Sequence, residues 1–168
     1  MQSAIFRLDE RIIAFMHTHG TAILRISLGV VFFWFGALKL LGVSPVTAII
    51  GTSYSLFPSE SFITILGVWE LLIGIGLISK VFLRTTLLLL WLQMAGTLLS
   101  FLWAPSLFFF QGNPFFLTVE GEFVLKNIVL IAASLVIGGY EITAKSQITN
   151  YKSQTNPNDQ KTEIPNAF

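Results

Sequence analysis

The sequence predicts an all-α membrane protein: four transmembrane helices in a bundle, both termini cytoplasmic, with an N-terminal amphipathic helix at the interface. Three observations carry this prediction. Of 168 residues, 54% are hydrophobic and 11% charged, whereas an average soluble domain is roughly 25% charged. Four apolar segments are each long enough for a hydrocarbon core of ~30 Å, which takes about 20 helical residues. Lysine and arginine then alternate between the connections, occurring in every second one.

The spans are expected near residues 22–41, 62–78, 85–103 and 122–139. Any one of them reads equally as a buried helix of a soluble core. Four together leave no polar layer to cover them. Arg7, Arg11 and Arg25 precede or begin the first span, Lys80 and Arg84 sit in the second connection, and Lys145, Lys152 and Lys161 follow the fourth. Residues 42–61 and 104–121 contain neither lysine nor arginine. By the positive-inside rule this places both termini in the cytoplasm.

Around this frame, residues 1–20 form a lead-in whose Ile5, Phe6, Leu8, Ile12, Ile13, Phe15 and Met16 alternate with charges, as an interfacial helix requires. Residues 21–144 form the transmembrane domain. Residues 145–168 are polar with two prolines and are expected to be disordered. The stretches "SLFP" and "SLFFFQGNPFF" suit the headgroup zone or a partly buried re-entrant turn. Asp9 and Glu10 stand where a secretory leader needs its basic lead and apolar core, so none is expected.

Composition also narrows the chemistry. A net charge of +1 argues against a nucleic-acid partner, and the absence of cysteine excludes disulfides and thiolate catalysis within the chain. There is no phosphate-binding glycine loop and no nucleophile–base motif, which favours a non-enzymatic role. His17 and His19, two apart on a helix, point in different directions, so no metal site is expected.

Helical spacing collects the unusual residues onto faces. Arg25, Gly29, Phe32, Gly36 and Lys39 share one stripe; Gly67, Glu70 and Gly74 share another; Gln93, Gly96, Thr97 and Ser100 a third. In the fourth span Glu122 stands four residues before Lys126, the favourable order for an ion pair. For Gly29, Gly36, Gly67, Gly74 and Gly96 the plain reading is close helix packing. The ionisable residues demand more, because a charge at a helix centre costs roughly 2.5–3.5 kcal/mol on insertion scales. Arg25 lies near a span end and can snorkel to water. Lys39 and Lys126, near the opposite ends of their spans, can do the same or enter a site. Glu70 lies too deep to reach water and is expected to be protonated or paired with a lysine. The constellation read from the sequence is therefore Lys39, Glu70, Glu122 and Lys126, faced by Gln93, in a pocket opening to the external side.

The stretches "LGVVFFWFGALKLLGVSP", "ITILGVWELLIGIGLI", "SFLWAP" and "GEFVLKNIVLIAASL" resemble, in order, the signatures of the YkgB family within the DoxX-like integral membrane proteins. The likeness covers about residues 20–140. It carries Lys39, Glu70, Gly121, Lys126 and Asn127 onto the family pattern. Glu122 departs from the Arg or Gln common there, and Asn127 from Asp. The resemblance implies a four-helix protein of the bacterial inner membrane. It further implies a link to quinone-dependent redox work or the oxidative-stress response, by analogy of fold. On that basis the ligand set is Lys39, Glu70, Gln93, Glu122, Lys126 and Asn127, with a quinone as the expected ligand. Three roles are compatible with these residues: an accessory subunit of a redox complex, a small transporter or channel acting as a homo-oligomer, and an assembly scaffold.

Overall fold

The computed structural model describes the backbone of residues 2–44 and 59–154, with side chains for 6–44 and 61–143. "SLFP" lies outside the described residues. Five α-helical segments of seven residues or more, one single-turn helix and a 3-10 turn make up this part: α1 (Gln2–Leu40), α2 (Ser59–Ser79), α3 (Leu83–Trp103), α4 (Pro105–Phe108), the 3-10 turn Phe110–Gly112, α5 (Val119–Leu125) and α6 (Asn127–Gln154). Four helical stretches are long and apolar enough to cross a membrane: Phe6–Leu40, Ser61–Ser79, Leu83–Trp103 and Val119–Thr143. The protein is an all-α four-helix bundle. α1 packs along α2, α2 on α3, α3 on α6 and α6 on α1, which closes the ring.

The α1–α2 pair is the closest contact in the bundle, and glycine makes it so. A Cβ on Gly29 would stand 3.0 Å from the Gly74 carbonyl oxygen, and one on Gly36 would stand 2.7 Å from that of Gly67. The spacing from Gly29 to Gly36 equals that from Gly67 to Gly74, so the two contacts set one antiparallel register. Removing the side chains lets the backbones meet, the usual route to helix association where lipid supplies no hydrophobic drive.

At the end of α2 the chain reverses within three residues. Lys80 (φ 61°) and Phe82 (φ 51°) both adopt the left-handed conformation, at a cost of about 1–2 kcal/mol per residue for a side chain with a Cβ. Thr86, one turn into α3, packs against Gly76 and donates to the Phe82 carbonyl at 3.2 Å. The core below is Leu28, Phe32, Ile73, Leu77, Leu87, Leu90, Met94 and Ile137. The outward faces stay apolar, with Trp34, Leu72, Leu88, Leu92 and Leu135 all exposed, as befits helices solvated by hydrocarbon.

The lead-in runs straight into the first span: α1 is unbroken for 39 residues, about 58 Å at ~1.5 Å per residue, because nothing between Phe6 and Gly20 stops a helix. Its first part carries the exposed Phe6, Leu8, Ile12, Phe15 and Met16. At the other end α6 continues to Gln154, into the tail expected to be disordered. Residues 155–168 lie outside the described part.

The segment between α3 and α5 folds back over one end of the bundle. Phe110 donates its N–H to the Phe116 carbonyl at 2.8 Å, and Phe109 bridges to Leu117. Phe108 is fully buried beneath, packed on Phe101, while Phe110, Phe115 and Phe116 stay exposed. The aromatic stretch thus forms a partly buried turn. Thr118 ties it down, donating to the Leu107 carbonyl at 2.7 Å and accepting from Gly121 N at 3.1 Å as the N-cap of α5.

Candidate functional site

Between the four helices, toward the end covered by the aromatic turn, lies a cavity of about 470 Å³. Most of its wall is apolar, from Phe32, Phe35, Leu66, Trp69, Met94 and Phe123. A polar strip runs across it: Lys39, Glu70, Gln93, Thr97, Lys126 and Asn127.

The centre of the strip is the buried pair Lys39–Glu70, with the ammonium 2.6 Å from Oε2. The geometry follows from helix direction. Side chains lean toward the N-terminus of their own helix, so on antiparallel helices Lys39 leans down the bundle and Glu70 leans up. The two converge despite their offset. Gln93 completes the group from α3, donating from Nε2 to Glu70 Oε1 at 2.6 Å. A carboxylate paired with an ammonium accepts only, so the Gln93 amide must turn its NH2 to Glu70. Its carbonyl oxygen is then left buried without a donor among the described residues.

A second branch lies beside it. Asn127, also buried, donates to Thr97 Oγ1 at 3.0 Å, and Thr97 donates to the Met94 carbonyl. Ser100 donates to the Thr97 carbonyl at 2.5 Å. Lys126 lines the same cavity but makes no ion pair among the described residues. It sits at the joint between α5 and α6, in helical conformation, its N–H donating to the Glu122 carbonyl at 3.2 Å and its carbonyl accepting from Val129 N at 3.0 Å.

The structure thus brings together Lys39, Glu70, Gln93, Lys126 and Asn127. It does not bring in Glu122, which is exposed on the outer face of α5 and does not line the cavity. Glu122 and Lys126, one helical turn apart, are both exposed, and no ion pair joins them among the described residues. Gly96 also differs from expectation. A Cβ there would meet nothing within 4 Å, so it lines the cavity instead of packing a helix. The other four glycines sit in the α1–α2 contact as expected.

Phe35 and Phe123 line the cavity, have their rings 6.1 Å apart, and are each 39% exposed on the bundle's flank.

At the opposite end, sequence reasoning missed a second charged cluster. Arg25 is buried, not snorkelling. Its Nε stands 2.9 Å from Glu141 Oε1, and its guanidinium also donates to the carbonyls of Leu77 and Ile78. Lys80 reaches the other oxygen of Glu141 at 2.5 Å. The signal available was Glu141 itself, an acid just past the expected end of span four at the depth of Arg25. The last carbonyls of α2 have no intrahelical donor, and the fork of one arginine serves them and a carboxylate together. The role is structural, locking α1, the α2 end and α6.

His17 and His19 fall on the exposed part of α1, His19 stacking on Phe15 at 4.8 Å.

Comparison with known proteins agrees with this architecture. No curated protein and no solved structure is a significant match. The DoxX family model matches residues 20–103, half of the chain and the part that holds Lys39, Glu70 and Gln93. On that match, and with the four membrane-spanning helices to support it, the chain belongs to the DoxX family.

Proposed function

We infer that the protein binds a lipid-soluble ring compound, such as a quinone headgroup, in the cavity and serves as an accessory membrane subunit of a redox or oxidative-stress system. The observation that carries this reading is the Lys39–Glu70–Gln93 chain set into the wall of an otherwise apolar cavity. Ligand pockets combine an apolar lining with a few convergent polar groups, and intramembrane ionisable residues mark sites by default. Aromatic and aliphatic walls fit a ring and its tail, Lys126 or Lys39 is placed to donate to a carbonyl, and Glu70 to handle a proton. The motifs from Trp34 to Asn127 favour the YkgB branch of the family. The lysine and arginine alternation favours both termini in the cytoplasm of a bacterial inner membrane.

Organic extraction of the detergent-purified protein tests this. Wild type should retain a quinone-type compound, and Glu70→Gln should lower the amount. Retention unchanged by that substitution would remove Glu70 from the site, and no extractable ring compound would overturn the reading.

One observation favours a second role. Lys39, Glu70 and Lys126, ionisable groups within membrane-spanning stretches, line one cavity, and such groups also mark substrate and ion pathways. Flux of protons or a small solute in proteoliposomes, lost on Glu70→Gln, would establish transport instead.

A further inference from the structure

The polar strip is unequal in donors and acceptors, and the inequality bears on which ring compound fits. Lys126 makes no ion pair among the described residues, and Asn127 donates its amide within the strip. Among the described residues, the one buried side-chain acceptor left unpaired on the cavity wall is the Gln93 carbonyl oxygen. Gln93 is only 8% exposed, so solvent does not satisfy it. A buried acceptor without a donor costs about 1–3 kcal/mol. The terminal torsion of glutamine is soft, so a small rotation lets the carbonyl meet a donor placed in the cavity.

A quinone carbonyl only accepts. It pairs with Lys126 and leaves Gln93 as it was. A hydroxyl on the same ring both donates and accepts, so it satisfies Gln93 while keeping the lysine. Sites with a buried hydrogen-bonding group reject analogues that lack the partner far more strongly than apolar pockets reject a missing methylene. Phe35, Leu92 and Phe123 line the cavity and are also exposed on the apolar outer surface, which sets it beside the hydrocarbon.

We propose that the cavity selects a membrane-soluble ring compound that donates a hydroxyl, a hydroquinone or an alkylphenol, over the all-acceptor quinone. This rests on the cavity being a ring-compound site as read above. It adds that the reduced form is the resident one, with Gln93 as the specificity-determining residue.

The test uses para-heptylphenol and its methyl ether, which differ in the donor and need no redox chemistry. Binding to the full chain in lipid nanodiscs is followed by tryptophan fluorescence, since Trp69 lines the cavity. The phenol should bind at least about tenfold more tightly than the ether, and in Gln93→Met the ratio should fall below about threefold. Gly96→Leu leaves the strip intact and should weaken both probes, placing them in the cavity. Equal affinities in wild type, or a preference that survives Gln93→Met, overturn the selection while leaving the site. Indifference of both probes to Gly96→Leu overturns it too, by placing them elsewhere. Failure of both probes to bind overturns the selection and the ring-compound site together. Should Gln93→Met not yield monodisperse protein, Gln93→Leu replaces it under the same criteria.

Discussion

Lys39 and Glu70 meet at 2.6 Å although they are not level with one another. In the register set by Gly29 with Gly74 and Gly36 with Gly67, the position opposite Glu70 is near Phe33. Lys39 lies about six residues further along α1, roughly 9 Å at ~1.5 Å per residue. The reach of lysine and the opposed lean of the two side chains close that distance. The pair depends on the glycine contacts, because a shift of one helical turn would separate the charges.

Removing one member of this pair leaves the other buried and uncompensated, which typically costs about 3–5 kcal/mol. Lys39→Met and Glu70→Met should each lower thermal stability in detergent clearly. The double variant should cost much less than the two together, with a coupling of at least about 1 kcal/mol. Additive losses would show that the two residues act separately.

The glycines separate into two classes by what a side chain would meet. Gly36→Leu and Gly74→Leu collide with backbone atoms of the facing helix and should destabilise by at least the ~1–3 kcal/mol of an overpacked core. Gly96→Leu meets open space and should leave the melting temperature unchanged or raised, since leucine favours helix over glycine by up to about 1 kcal/mol. A loss at Gly96 as large as at Gly36 would contradict the cavity.

Arg25→Met leaves Glu141 with Lys80 alone and strands the last carbonyls of α2. Its expected cost is about 3 kcal/mol or more, and Arg25→Lys should recover only part, because an ammonium lacks the guanidinium fork. Proteolysis should then cut first at the Lys80 turn, whose left-handed residues are held by the same cluster. An unchanged cleavage pattern would show that the turn needs no such support.

Thr118→Val should loosen the aromatic turn. The substitution removes the N-cap bond to Gly121 N and the bond to the Leu107 carbonyl, together about 1–2 kcal/mol. Hydrogen exchange of the Phe109–Phe116 amides should rise while that of α3 stays constant. Exchange that does not change would place the anchor of this turn elsewhere.

Much of the site is legible in the residues because charge in an apolar helix has few places to go. Glu70 is too deep for water and Lys39 shares a face with the packing glycines, so their pairing follows from burial cost alone. Gln93 and Asn127 follow from helical spacing. Glu122 was misplaced because an i,i+4 pairing preference is worth only a few tenths of a kcal/mol, too little to hold a carboxylate inward. Arg25 was misread because depth from a span end does not show whether a partner waits there, and Glu141 stood just outside the window considered. Gly96 resembles its packing counterparts in sequence; only the wide gap opposite α3 makes it different.

Composition and periodicity alone determined that this chain is a four-helix membrane bundle, because hydrocarbon leaves a helix as the only way to satisfy its backbone. They also singled out the Lys39–Glu70 pair. Tertiary structure decided the rest: which acceptor is left over, which residues line the cavity, and that Arg25 and Glu141 lock the far end. Those depend on register and on the separation between helices that are distant in sequence. One-helix patterns carry no record of either.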